Sequence, residues 1–488
     1  MHPPLANFSP FLPATKLSDE VLLNIFRFYL DASPRYWPTL VHICRKWRRI
    51  VFASQQSLQL RLFCTNGTPV LKNLNWWPTA LPIVVEYGGS PTLNHPAPGN
   101  EGNIIAALNQ SGRISSIRLT TANCESLLER FSKAGGSFPE LVELVLMSQD
   151  SRWMPFSTAS WWCPRLRTLH LTRVTFPGLR QFLTSSRNLV YLQLHEAFQD
   201  WLFSPDVLTN ALSGMAQLRS LSLHLLFTGH YTASPPPLRE RIVLPTLTHF
   251  DFQGTNEYLG DFVARIDAPR LEDFGLTLFK QLMDSQLGKF VDRIGIHKSN
   301  SRADIQFSGR AISISFIQPT PTETCLKLRV CCESLDAQLF YLAQICGHSA
   351  FMSGVEDLRI STASPSNGID RFNDIGWLEL IDSFRGVKWL HVAGDVSVLI
   401  KQIWHLSEMQ HKTVLPALHK LFISEHGQRH VPLREAVVSL MAHRRLSGSP
   451  IEVEYERPLF NEAGTTYTQC QHHMLTYLSR NMFSARPD

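Results

Sequence analysis

The sequence has no run of about 18 uninterrupted apolar residues, the length a membrane-crossing helix needs, so no membrane span is expected. Its opening, MHPPLANFSPFLP, lacks a charged start followed by a continuous apolar core, which argues against a secretory signal. Cysteine is sparse: nine in 488 residues, an odd number at scattered positions. That pattern is no disulfide framework and fits reduced thiols in the cytoplasm or nucleus. An excess of one charge is also missing. Against 46 basic residues stand 41 acidic ones, and the small excess is spread along the chain. Nothing in that balance requires nucleic acid as a partner. The catalytic signatures are absent as well. There is no phosphate loop, dinucleotide fingerprint or HExxH pair. Gly347-His348-Ser349 lacks the G-x-S-x-G frame of a hydrolase elbow. Cys325, Cys331 and Cys332 lack the paired spacing of a zinc site, and Cys470, His472 and His473 fit a polar tail better than a metal centre. No enzyme activity, cofactor or metal is expected.

What is present is apolar and patterned. Apolar residues make up 44% of the chain and charged ones 18%, a folded type rather than a disordered one. The densest pattern runs from Leu12 to Val51. A helix is predicted after Leu12-Pro13, with Ser18 as N-cap and Asp19 and Glu20 in the first turn. Leu22, Ile25, Phe26 and Tyr29 recur on it at helical spacing. Pro34 and Pro38 break the chain. A second helix is predicted to carry Leu40, Val41, Cys44 and Trp47 on one face, with Arg45, Lys46, Arg48 and Arg49 around the rest. So short a stretch cannot bury that many large groups within itself, so part of the stripe must cover something else. The alternatives are a partner or the remainder of the chain.

The order of Leu-Pro, the LSDEVLLNIF helix and the VHICRKWRRIV ending resembles the F-box, over about the first 55 residues. That family docks on the SKP-type adaptor of cullin–RING ubiquitin ligases. The resemblance implies that Leu12, Pro13, Leu17, Leu22, Ile25, Phe26, Leu40, Cys44 and Trp47 are docking or module-core positions.

Residues 56–102 read as a connector and cap, with Trp76-Trp77-Pro78 closing the junction and a strand at Ile83 to Tyr87. From 103 to 445 a motif recurs: an apolar residue, then further apolar residues three and five positions on. It reads Leu141-Leu144-Leu146, Leu166-Leu169-Leu171, Leu189-Leu192-Leu194 and Leu218-Leu221-Leu223, and continues to Leu418-Leu421-Ile423. From Ile114 to Leu271 its starts lie 27, 25, 23, 29, 29 and 24 residues apart. This resembles the leucine-rich repeat, whose units run about 20–29 residues. The implied fold class is α/β: a curved parallel sheet with outer helices, a solenoid, preceded by a small all-α F-box module. Several units start with Pro, as in Phe138-Pro139-Glu140-Leu141, which is expected to stop a helix and deliver extended chain to the strand. Helical pieces are expected between strands, among them Glu125 to Lys133, Leu179 to Ser185 and Leu259 to Ile266. The Asn expected nine positions into each unit is replaced, for instance by Val174. Between Leu271 and Val355 the motif lapses. Strands at Ile305-Phe307, Ile312-Phe316 and Leu326-Val330 are read there as distorted repeats or as an inserted hairpin. Residues 446–488 are a cap or tail.

Motif positions three, five and seven alternate with the inward ones and face the concave side. That column is rich in histidine with aromatic points. His170, Tyr191, His195, His224, His249, Trp389 and His391 are its candidates for holding a target protein, since rigid aromatic and polar anchors dominate such surfaces. A metal reading of the histidines has little support, because their partners lie one repeat away. Taken whole, the chain resembles F-box proteins with leucine-rich repeats of the sort found in mushroom-forming fungi. The implied role is substrate recognition in an SKP–cullin–F-box ligase, cytoplasmic or nuclear. A non-degradative interaction scaffold is the alternative.

Overall fold

A computed structural model of the chain describes residues 17–65, 70–88, 101–121, 137–148, 161–174, 176, 178–196, 204–225, 241–278, 289–290, 293, 302–308, 311–317, 326–331, 339–340, 342–343, 346, 352, 354–362, 380–393, 414–424 and 431–456. Leu12, Pro13, the helix expected at Glu125 to Lys133, and Cys470, His472 and His473 lie outside these residues.

The first helix, α1 (Asp19–Ala32), starts where the local chemistry requires it. The Ser18 hydroxyl accepts the Val21 amide at 3.3 Å, and two acids occupy the first turn. Leu22, Phe26 and Leu30, four residues apart, fall on its buried face. The second predicted helix is broken in two, α2 (Trp37–Ile43) and α3 (Arg45–Ala53). Cys44 between them is extended, and its sulfur accepts the Trp47 amide at 3.5 Å. Arg48 Nε bridges the corner to the Val41 carbonyl at 2.9 Å. With the corner made, Trp47 stands edge-on to Phe26, ring centroids 4.7 Å apart.

This module is not separate from the body. Trp37 donates its indole N–H to the Arg61 carbonyl at 2.7 Å and meets the Trp77 ring at 4.7 Å. Arg35 pairs with Glu86 and lies 5.6 Å over the Phe63 ring. Leu58, Leu60 and Leu81 complete the module's core from the body side.

The body is mixed α/β, built on one sixteen-stranded sheet that is mostly parallel. In chain order its strands are β1 (Leu62–Cys64), β2 (Ile83–Tyr87), β3 (Ile114–Thr121), β4 (Glu143–Ser148), β5 (Thr168–Thr172), β6 (Tyr191–His195) and β7 (Ser220–His224). Two-residue β8 (Ile242–Val243) pairs apart with β10 (Ile266–Asp267). The sheet continues with β9 (His249–Gly254), β11 (Asp273–Leu278), β12 (Arg302–Ser308), β13 (Ala311–Ile317), β14 (Leu326–Cys331), β15 (Asp357–Thr362), β16 (Trp389–Ala393), β17 (Lys420–Ser424) and β18 (Glu452–Glu456). It thus begins at Leu62, within the stretch read as connector and cap, and ends past Arg445.

Register explains the repeat. Leu144, Leu169, Leu192, Leu221, Phe250 and Phe274 lie side by side on successive strands, all buried. The leading prolines do something other than expected. Each occupies the second position of a tight turn whose first carbonyl accepts the motif's leading amide, as in Leu141 N to Phe138 O and Leu166 N to Cys163 O. Lateral backbone bonds tie each unit to the next at the strand's start. The Val142 carbonyl takes both the Arg167 and Thr168 amides, and the same fork recurs at Arg167, Val190, Arg219 and Thr248. Beyond the strands, Arg173 and Glu196 adopt φ 55° and 48° and donate to the His195 and His224 carbonyls. Helices α4 (Leu179–Ser185), α5 (Pro205–Leu212) and α6 (Asn256–Val263) pack Phe182, Leu212 and Phe262 against the sheet's inner face. The other, open face carries the positions of interest.

The lapse in the motif is an antiparallel meander set into the sheet. Its order is β11-β14-β13-β12-β15, so β13 runs against both neighbours while β14 and β12 run parallel to β11 and β15. Among the described residues no helix is long and apolar enough to cross a membrane.

Candidate functional site

On the open face the side chains of β5 to β9 form one connected ladder. His170, Gln193, Ser222 and Asp251 are lateral neighbours at one level, with His195 and His224 at the next. The His195 and His224 rings stack 3.6 Å apart and within 1° of parallel; His170 stands edge-on to His195 at 5.4 Å. His224 Nε2 meets Asp251 Oδ2 at 2.7 Å, His195 Nε2 meets Ser222 Oγ at 2.8 Å, and His170 Nε2 meets Thr172 Oγ1 at 2.9 Å. A carboxylate only accepts, so the proton sits on Nε2 of His224. Gly275 makes the ladder's end possible: a Cβ there would run into the Asp251 carboxylate.

The ladder contains serine, histidine and aspartate but not an acyl-transfer triad. In such a triad the carboxylate holds the ring nitrogen opposite the serine. Here Ser222 and Asp251 both approach Nε2 of His224, at 3.4 and 2.7 Å. The closer imidazole, His195, is driven by burial first, then by the neighbouring histidines, from 6.5 to about 2, too low for a base near neutrality. Stacking excludes metal sharing too, since the in-plane lone pairs of parallel rings cannot converge on one ion. Among the described residues no group of three or more His, Cys, Asp or Glu could hold a metal.

Burial, with a smaller contribution from His224, lowers His170 from 6.5 to about 4. The unfolded chain binds these protons at higher pH than the native one. Stability therefore falls as pH drops below 6.5 toward 4, and is fully present above 6.5. At about 1.4 kcal/mol per pKa unit, the loss by pH 4 should be on the order of 3 kcal/mol for His170 alone. Urea unfolding at pH 7, 5 and 4 reads it. A His170→Gln/His195→Gln variant with the same pH slope as the parent would refute the assignment.

Tyr191 is half-buried and His249 exposed at the adjoining level, where His249 Nδ1 bonds Thr248 Oγ1 at 2.7 Å. Trp389 and His391 do not join this group. They sit on β16, with five strands between it and β9. There His391 stacks on Phe422 at 4.1 Å and stands 3.4 Å from Asp357. Lys420 lies 4.9 Å over the Phe422 ring, and Trp389 is exposed. The single candidate surface is therefore two patches. Gln193, Ser222 and Asp251 belong to them and were not singled out; Phe422, expected only as an aromatic point of the column, belongs with His391. Their signal was position five of the motif, which register places beside each candidate.

The N-terminal candidates divide by burial. Leu22, Phe26 and Leu40 are sealed in the module's core. Leu17 and Trp47 pack onto that core, and Cys44 caps α3. Ile25 points away, in a second stripe with Val21, Phe28 and Tyr29; Ile25 is 45% and Phe28 82% exposed. Burial raises the thiols of Cys64 and Cys163 to about 12, leaving them unreactive.

No protein-family model matches the sequence, and no curated protein matches it. Among solved structures the chain is similar to the leucine-rich repeat-containing protein LegL7 from Legionella pneumophila. The likeness is loose: 12% identity over 78% of this chain and 97% of that one, with a TM-score of 0.26.

Proposed function

We propose that this chain is a non-catalytic recognition subunit of an SKP–cullin–F-box ubiquitin ligase. In this reading residues 8–55 are an F-box that docks an SKP-type adaptor, and through it cullin. The sheet body is a leucine-rich-repeat solenoid whose open face holds a target protein. The chain works in the cytoplasm or nucleus and needs no cofactor. One observation carries the reading: a packed helical module leaves the apolar stripe Val21, Ile25, Phe28 and Tyr29 uncovered. Burying each such side chain against a partner is worth about 1.5–3 kcal/mol. The ties of Arg35 and Trp37 to the sheet hold module and body together, so a target on the sheet stays at a high effective concentration near the ligase.

Phe28→Asp with Ile25→Asp tests this. Both side chains are already wet, so the melting temperature should hold while capture of the SKP-type adaptor falls by about 100-fold. Undiminished capture would overturn the docking assignment. Adaptor capture without cullin recruitment would favour the scaffold alternative.

A further inference from the structure

The meander changes the open face where it enters the sheet. On β13 that face carries Ser313 and Ser315, both short. Register continues the low floor sideways. Ser315 lies between Lys327 of β14 and Asp304 of β12, and Asp304 beside Arg359 of β15. One level along, Ser313 lies between Arg329 and Gln306, and Gln306 beside Ser361. Lys327, Arg329 and Arg359 are all exposed, so long cationic side chains stand on both sides of the serines. The acid in the floor is already matched: Arg302 grips Asp304 with two bonds, 3.0 and 3.2 Å. Asp357 faces His391, and Asp273 borders Lys327 at the edge. Arg359 enters no ion pair among the described residues. The ladder on β5 to β9, by contrast, offers the neutral imidazoles of His170 and His195 and the Asp251 carboxylate.

We propose that this serine-floored furrow, walled by Lys327, Arg329 and Arg359, seats an extended acidic segment of the target protein. The inference rests on the target-holding reading above and gives it a chemistry. Guanidinium groups match carboxylates two-pronged, and serine hydroxyls donate to the remaining lone pairs. From β14 to β15 is three strand spacings, ~14 Å, which an extended segment crosses in about four residues. Glutamates at alternate positions would face both walls. A single-stranded nucleic acid fits less well, because the furrow's described side chains include no aromatic on which a base could stack.

The test uses the full-length chain and a fluorescein-labelled dodecapeptide of alternating Glu and Ser, read by anisotropy at low salt. A Lys–Ser peptide and an oligothymidylate of equal length are the comparisons. The Glu–Ser peptide should bind and the Lys–Ser peptide should not. Lys327→Gln/Arg359→Gln should weaken binding about tenfold and flatten its salt dependence, with the melting temperature unchanged. Arg180→Gln/Arg187→Gln, which removes two exposed cations outside the furrow, should leave it as it was. No binding, binding indifferent to the Lys327/Arg359 pair, or tighter binding of the oligothymidylate through that pair would each overturn the proposal. The assay contains no adaptor, so lost adaptor docking with intact peptide binding would strike the ligase reading alone.

Discussion

Trp37→Ala is expected to destabilise the protein by about 4 kcal/mol, the middle of the range for emptying a buried aromatic site. Trp37 is 1% exposed and sits where two cores meet. Its ring touches Trp77 at 4.7 Å and Phe52 at 6.3 Å, both edge-on. Its N–H supplies the Arg61 carbonyl at the entrance to β1. Removal leaves a cavity and an unpaired carbonyl at once. Trp37→Phe keeps most of the volume and loses the hydrogen bond, so it should cost about 1–2 kcal/mol. Urea melts followed by tryptophan fluorescence would rank the three proteins. If both variants stayed within experimental error of the parent, the module would not be anchored through this residue.

The second large effect is at Gly88, at the end of β2. Its φ is 120°, and a Cβ there would fall on the Thr120 carbonyl. Thr120 belongs to the neighbouring strand's backbone and cannot rotate away. Gly88→Ala should therefore cost about 3 kcal/mol or more. Gly448 supplies the control. Its φ of 74° is also left-handed, but a Cβ would meet open space. Gly448→Ala should cost only about 1 kcal/mol. Equal melting temperatures for the two variants would show that the close approach to Thr120 is not what fixes Gly88.

The parts of the fold that were legible in the sequence are those written in local chemistry. Ser18 followed by two acids announces a helix start because the hydroxyl satisfies an amide within the same turn. Cys44 gives no such notice: a thiol accepts weakly and is not a usual cap, so the corner between α2 and α3 was read as continuous helix. The triplets were legible because a parallel stack needs an apolar group at the same level in each unit. The meander was legible as strands, with an inserted hairpin as one of two alternatives. Alternation of apolar and polar residues reads the same in either direction, so it cannot tell a reversed strand from a forward one. That also explains the candidate site. Alternation gave the column correctly, but chain order stops matching spatial order after β11, and the column came apart into two patches. On α1 the sequence suggested one apolar stripe. Burial separates Leu22, Phe26 and Leu30 from Val21, Ile25, Phe28 and Tyr29, two faces a short helix can carry at once.

The reversed segment has a consequence for how the molecule is made. Through β11 each newly synthesised strand finds its neighbour already in place, and the growing edge advances one strand at a time. β12 finds none, because the place beside β11 belongs to β14. Assembly on the ribosome must wait until Cys331 has emerged, and then take on three strands as a block before β15 has an edge to join. The meander thus divides biogenesis into an early and a late half, and a nascent chain halted between Arg302 and Cys331 would carry an unfinished edge into the cell.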